Sequence, residues 1–369
     1  MPYLKIKNMR LPISKNYLPG LFILFLFLNA CKPTPQKLSE SEVKDFARQL
    51  EESIKRGNGD FLDEALDEDA FLEHMKLPDT REARGLRKEI KGKLDIGKKI
   101  AGAISDQDQY AYVKHYQKDG TYHLIFRLYN TKESSLNYHD YELLKSEGKC
   151  RVADIYIYLS GETLAETMRT LLAGFFNAKG KEEDDYMRQM NSLQEIKRLM
   201  QRGQHADAKK RFEQLPESIR RTKPVMLYDV MISSGLPEDQ YTEAIRKYRE
   251  RFPSDPNINL LMIDGYYLQK DYVKMLGAIN TLDSQINKDP FLDFYRYLSY
   301  NLLNDTPTGK GYLQRLMKRM PDFQRGCQEL IVTEMQDKNQ AQVDSLVKLY
   351  RANKKFNQAE LDNILSTFD

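Results

Sequence analysis

Between residues 200 and 355 the chain repeats itself. Asp255-Pro256 recurs as Asp289-Pro290, 34 residues on, and Pro253 recurs as Pro321 at twice that interval. A fixed spacing of this size marks units that cannot bury an apolar face alone and must stack on their neighbours. The same packing pattern returns within the units. Ala208 is followed four residues later by Phe212, Ala244 by Tyr248, and Met275 by Ile279. A small residue lets two helices approach, a bulky one a turn later fills the groove between them, and a proline ends the second helix.

Gly203-Gln204-His205-Ala206-Asp207-Ala208 with Phe212 resembles the second half of a tetratricopeptide repeat. Tyr241-Thr242-Glu243-Ala244 with Tyr248 and Pro256 resembles it more closely, and Tyr266 with Tyr272, Met275 and Ile279 repeats the spacing. The resemblance implies an all-α helical-hairpin solenoid over residues 187–369, of four or five helix pairs, with Glu360 to Phe368 as a capping helix. The chain departs from the pattern at Met275, where alanine is usual. The first unit runs long between Pro216 and Pro253, and the last two units are degenerate. Tyrosine stands in for the tryptophan often found in such repeats, since the chain has none.

The other end of the chain carries an address. Lys5, Lys7, Arg10 and Lys15 form a basic segment without an acidic residue, Leu18 to Leu28 is an apolar run, and Leu28-Asn29-Ala30-Cys31 closes it. This order is that of a secretory signal, and the run is shorter than the ~20 apolar residues a membrane span needs. Leu28, Ala30 and Cys31 resemble the bacterial lipobox, with Asn29 a mild departure. The resemblance implies that residues 1–30 are a signal peptide cut before Cys31, and that a lipid on Cys31 holds the chain at a membrane. The formal charge of +3 comes from 57 Lys and Arg against 54 Asp and Glu. Four of those basic residues lie in the leader, so the remainder is close to neutral, with neither a polybasic membrane patch nor an electrostatic footprint for nucleic acid. Cys150 and Cys327 fall in different predicted domains and read as free, buried thiols.

Residues 31–38 form a tether stiffened by Pro33 and Pro35. An α+β domain follows over residues 39–165. Three helices are expected first: Ser39 to Arg56, capped by Ser39 with Glu42; a second from Phe61 through Met75 to Pro78; and a third from Leu86 to Ile104. From Gln109 the apolar period changes to two. Asp119-Gly120 and Glu147-Gly148 then close two hairpins, giving an antiparallel sheet of about four strands. Helices followed by a curved sheet resemble the cone-shaped nuclear-transport-factor-like (cystatin-like) fold, a likeness of element order and not of motif. Residues 166–186 read as a connecting helix and a charged linker. The acidic run Glu182-Glu183-Asp184-Asp185 suits a helix N-terminus.

Two sets of residues on the sheet draw attention. With Asp119-Gly120 as a two-residue loop, Val113 opposes Phe126, Ala111 opposes Leu128 and His115 opposes Leu124 on an apolar face. Tyr110, Tyr112, Tyr116, Arg127 and Tyr129 share the other face, where Tyr and Arg suit contact with a partner or with the C-terminal helices. His115 and His123 fall on opposite faces, so they form no metal pair. With Glu147-Gly148 as the second loop, Tyr141 opposes Asp154 and His139 opposes Tyr156. Asp154, His139 and Tyr141 are therefore the acid/base candidates for a pocket in a cone-like fold, against the plainer reading of a solvated sheet face.

The sequence contains no H-E-x-x-H, C-x-x-C, phosphate-binding glycine loop or G-x-S-x-G elbow, so no motif assigns catalysis, and no metal or cofactor is expected. The leading expectation is a non-catalytic interaction scaffold of the bacterial cell envelope, anchored through Cys31. Its helical repeats would take an unidentified envelope protein or peptide, and no nucleic acid. With Lys32, not Asp, after the lipidated cysteine, the outer membrane is favoured. The alternative is a small-molecule binder or hydrolase using the cone-like pocket.

Overall fold

A computed structural model describes residues 37–105, 108–130, 135–177, 181–255, 257–353 and 356–366. The leader, Cys31 and most of the tether lie outside the described residues, as does Pro256 of the repeat.

Helix α1 (Glu40–Lys55) starts as expected, with a complete Ser39/Glu42 capping box. The second and third expected helices are each broken in two. The second becomes α2 (Asp60–Ala65) and α3 (Glu68–His74), because Leu66 is extended and bridges Val152 of the sheet, while Asp67 caps α3. The third becomes α4 (Arg81–Ile90) and α5 (Ile96–Gly102), separated at Gly92. That residue takes a positive φ, and its N–H donates to the Glu68 carboxylate at 2.9–3.0 Å.

The sheet has five antiparallel strands in chain order: β1 (Gln109–Lys118), β2 (Thr121–Asn130), β3 (Ser135–Ser146), β4 (Lys149–Ile157) and the short β5 (Glu162–Thr163). Near the loops the register is the expected one, with His115 opposite Leu124. Beyond Val113 it slips by one, because Val113 is an extra, bulged residue, and Tyr112 comes to face Phe126 and Tyr110 to face Leu128. A second bulge at Ala153 sets Asp154 opposite Glu142, Tyr141 opposite Ile155 and His139 opposite Ile157. The pairings expected for Val113, Ala111, Tyr141 and His139 are therefore corrected: one extra residue in a strand moves every pairing beyond it.

One face of the sheet, with Leu124, Phe126, Tyr141, Leu143 and Ile155, shares a core with α1 to α5. The other face does not stay solvated. Ile125, Tyr129, Tyr138 and Tyr158 join a single apolar cluster with residues of the helix-rich C-terminal region, among them Leu260, Phe291, Phe294 and Phe323.

That region follows α6 (Leu164–Asn177) and contains α7 (Lys181–Gln201), α8 (His205–Glu213), α9 (Glu217–Arg220), α10 (Lys223–Ser233), α11 (Glu238–Arg251), α12 (Ile258–Leu268), α13 (Tyr272–Gln285), α14 (Leu292–Leu302), α15 (Thr306–Arg319), α16 (Gln324–Gln336), α17 (Gln340–Arg351) and α18 (Gln358–Ser366). From α10 to α17 each helix packs on the next in sequence. The starts of α13, α15 and α17 stand 34 residues apart, and so does one turn. Lys270, Asn304 and Lys338 all take a left-handed conformation. In each turn the following residue donates its N–H five residues back, Asp271 to Tyr266, Asp305 to Tyr300 and Asn339 to Glu334, at 2.9 Å. Gly203 with Gln204 builds the same closure, a Schellman motif that satisfies orphan carbonyls at the helix end. Four residues after these cap positions come Ala208, Met275, Gly309 and Val343, all buried. The backbone thus keeps its period through the units whose sequence pattern is degenerate.

Candidate functional site

The sheet's C-terminal-facing side is built row by row from residues that oppose one another across the strands. The innermost polar row centres on Arg127 of β2 and Tyr138 of β3, paired in register. Both reach Asp289, in the turn between α13 and α14. Arg127 Nη1 donates to both carboxylate oxygens at 2.7 Å, and the Tyr138 hydroxyl donates to Oδ2 at 2.9 Å. The guanidinium also lies 4.3 Å above the Phe291 ring. The polar chain continues through the helices. Asp283 accepts from the Asp289 N–H and from Arg296, and Arg296 and Arg315 both hold Asp293. Buried charges are tolerable when paired and hydrogen-bonded in this way, and the network fixes how the sheet seats on α13 to α15.

This seating overturns part of the expected contact face. Arg127 and Tyr129 are buried under the chain's own helices, Arg127 at 4 % and Tyr129 at 2 % exposure. The bulge at Val113 sends Tyr110 and Tyr112 to the opposite side, into the core shared with α1 to α5. Of the five residues only Tyr116 remains half-buried on the C-terminal-facing side. The set is an internal docking face, interrupted by a bulge, and not a single free surface.

The acid/base candidates do not come together either. His139 and Tyr141 lie on the N-terminal-helix side with Tyr110. The Tyr110 hydroxyl bonds Tyr141 and sits 3.3 Å from His139 Nδ1. Burial drives the His139 pKa down to about 4 and holds the Tyr141 phenol far above its ordinary range. The trio forms a sealed network with a neutral imidazole, suited to holding strands together. Asp154 does other work: its Oδ1 accepts from the N–H groups of Ile155 and Ala165, the latter in the first turn of α6, at 2.8 and 3.2 Å. Burial raises its pKa, and its Oδ2 makes no hydrogen bond. Two surface cavities of about 270 and 460 Å3 lie among the N-terminal helices and between α15 and α17, and neither is lined by a sheet residue.

The outermost row contains a constellation that strand patterning did not single out. Tyr116, His123 and Glu142 oppose one another across β1, β2 and β3. Asp140, two residues along β3, accepts from the Tyr116 hydroxyl on one oxygen and from His123 Nδ1 at 3.0 Å on the other, and Tyr116 stacks on the imidazole at 5.0 Å. His74, at the end of α3, places Nε2 3.5 Å from Glu142. The signal for this row was present in the Asp119-Gly120 register, which sets His123 opposite Tyr116. Its partners Asp140 and Glu142 needed the β2–β3 register, which no Asn-Gly or Asp-Gly turn marks between Asn130 and Ser135.

Cys150 and Cys327 are free thiols, and burial pushes them up to about 12 and about 11, so neither is a reactive thiolate. No described helix is long and apolar enough to cross a membrane. Compared with family models, with curated proteins and with solved structures, the chain has no match.

Proposed function

We propose that the chain is a secreted lipoprotein of the bacterial cell envelope, attached through a lipid on Cys31, and that it works as a non-catalytic interaction scaffold. In this reading the helix-rich half is a tetratricopeptide-like solenoid and the front half a cone-like α+β module fused to it. The observation that carries the scaffold reading is the turn that recurs every 34 residues at Lys270, Asn304 and Lys338, the interval at which stacked helix pairs of this kind repeat. Stacked pairs expose long surfaces suited to peptides and proteins.

The α+β module narrows where a partner can bind. The sheet meets the region at the turns before α14 and α16, where Arg127 pairs with Asp289 and Tyr129 packs on Phe291 and Phe323, and seven residues of α14 are buried. Exposed apolar side chains lie on both helices of the pairs, Met231 on α10 and Tyr267 on α12, Val273 on α13 and Leu349 on α17. In this reading the partner is an envelope protein or peptide that meets the helical repeats at such exposed positions, Tyr267 and Val273 on the α12–α13 pair and Leu349 on α17. The alternative reading, a hydrolase or small-molecule binder using Asp154, His139 and Tyr141, draws no support from groups on different sides of the sheet. Metabolic labelling with a clickable fatty acid tests the anchor. The full chain takes up label and fractionates with membranes, and Cys31→Ser loses both. An unlabelled wild-type chain would remove the anchor from the account.

A further inference from the structure

Strand β1 ends the sheet. Among the described residues its one strand neighbour is β2, and along Gln109–Lys118 no main-chain N–H or C=O bonds any other described element. About half of the main-chain groups of such an edge point away from the sheet and can pair with another strand. The bulge at Val113 divides the edge into two regular runs, the longer being Lys114 to Lys118. Along that run Lys114, His115 and Tyr116 are half-buried, and Gln117 and Lys118 are exposed. Lys114 supplies a second, independent observation. It opposes Ile125, on the side of the sheet that meets the helix-rich region. Among the described residues its ammonium makes no hydrogen bond or ion pair. Asp283 and Asp289 act on it only at a distance, being held by Arg296 and by Arg127. Burial lowers the Lys114 pKa in spite of them. A cation that has lost water and gained no partner is costly, and a carboxylate brought to the edge would relieve it.

We propose that the outer edge of β1 takes an extended segment of a partner protein as an added strand, and that an acidic side chain of that segment meets Lys114. Main-chain bonds supply affinity in such a contact, and the charge pair selects the partner. The strand itself has no acidic residue. Its charged and titratable groups are Lys114, Lys118 and His115, and His115 already faces Glu40 at 3.4 Å. A second copy of the chain would therefore bring only cations to the seam, and like charges across paired strands destabilise them. Lysine on an edge keeps other strands away; here it turns away those without a matching carboxylate. This surface is separate from Tyr267, Val273 and Leu349 on the helices and does not depend on the anchor at Cys31.

Fluorescence anisotropy of the purified full chain with labelled strand-forming peptides tests this. The probes are a Thr/Val peptide carrying Glu, the same peptide with Lys in place of Glu, and the Glu peptide with every amide N-methylated. The Glu peptide binds, the Lys peptide binds about tenfold more weakly, and the methylated peptide does not bind. Lys114→Glu exchanges the preference, taking the Lys peptide and releasing the Glu peptide, an outcome that loss of fold cannot produce. Lys318→Glu, at an exposed position on α15, changes neither affinity. No binding of the Glu peptide, equal affinity for the two charged peptides, binding of the methylated one, or no exchange in Lys114→Glu would overturn the added strand. A dimer in sedimentation that the Glu peptide dissociates would also overturn it, by placing a second copy on the edge.

Discussion

Arg127 of the sheet and Asp289 of the helix-rich half lie 162 residues apart in the chain and 2.7 Å apart in the fold, both almost fully buried. A pair this deep stabilises only while both partners remain, because either charge left alone in the interior is costly. Asp289→Ala therefore lowers stability by about 3–5 kcal/mol. Arg127→Leu does the same, and it also takes the guanidinium away from the face of the Phe291 ring. The double variant Arg127→Leu/Asp289→Ala costs less than the sum of the two. Chemical denaturation of the three variants gives the coupling directly. Additive losses would mean the pair contributes nothing to seating the sheet.

Gly161 joins β4 to β5 with φ +64°, and an added Cβ would fall 2.8 Å from Asn257 Cγ. Asn257 is itself pinned, donating to the Leu159 carbonyl and the Tyr248 hydroxyl at 2.9 and 2.8 Å. Gly161→Ala thus meets both a backbone penalty and a clash that cannot relax, and loses about 1–3 kcal/mol. A melting temperature equal to that of the parent would show that the two halves are not locked at this point.

The recurring turns make an opposite prediction. Lys270, Asn304 and Lys338 hold left-handed backbone that glycine adopts without strain. Lys270→Gly, Asn304→Gly and Lys338→Gly each gain about 0.5–1 kcal/mol, and Gly203→Ala loses a similar amount. Thermal unfolding reads all four, and destabilisation by the glycine variants would contradict the turn geometry.

The same positions show why only part of the fold was legible. The 34-residue spacing was visible through prolines and through the pairs Ala208/Phe212, Ala244/Tyr248 and Met275/Ile279, whose buried places the structure confirms. The turns themselves were hidden, because Lys270 and Lys338 are not residues that announce a left-handed cap. Asp119-Gly120 announced its hairpin, yet nothing in the local pattern marked the bulges at Val113 and Ala153. Each depends on what the strand must reach in three dimensions. Leu66 looked like the middle of a helix because its apolar period continues; pairing with Val152 outweighed local propensity. Arg127 and Asp289 could not be matched at all, since sequence separation carries no sign of contact. The outcome for the site follows: a face of alternating Tyr and Arg reads alike whether solvent or another part of the chain covers it.

His139 gives the fold a pH dependence of known sign. Its buried imidazole has a pKa of about 4 in the folded chain, against 6.5 ordinarily. Between these values the unfolded chain binds a proton that the folded chain refuses, so stability falls as pH drops through that window, by roughly 3 kcal/mol across it. His139→Asn removes this part of the slope. Urea midpoints at pH 7 and at pH 4.5 for parent and variant provide the comparison; identical slopes would place the acid sensitivity elsewhere.

Photo-crosslinking in cells tests the scaffold itself. A crosslinking amino acid replaces Val273 on α13 or Leu349 on α17, with the buried Tyr295 position on α14 as control. Both exposed positions capture the same partner, the control captures none, and Cys31→Ser abolishes the products by releasing the chain from the membrane. No product at either exposed position, or products indifferent to Cys31, would contradict a lipid-held docking surface on the helical repeats.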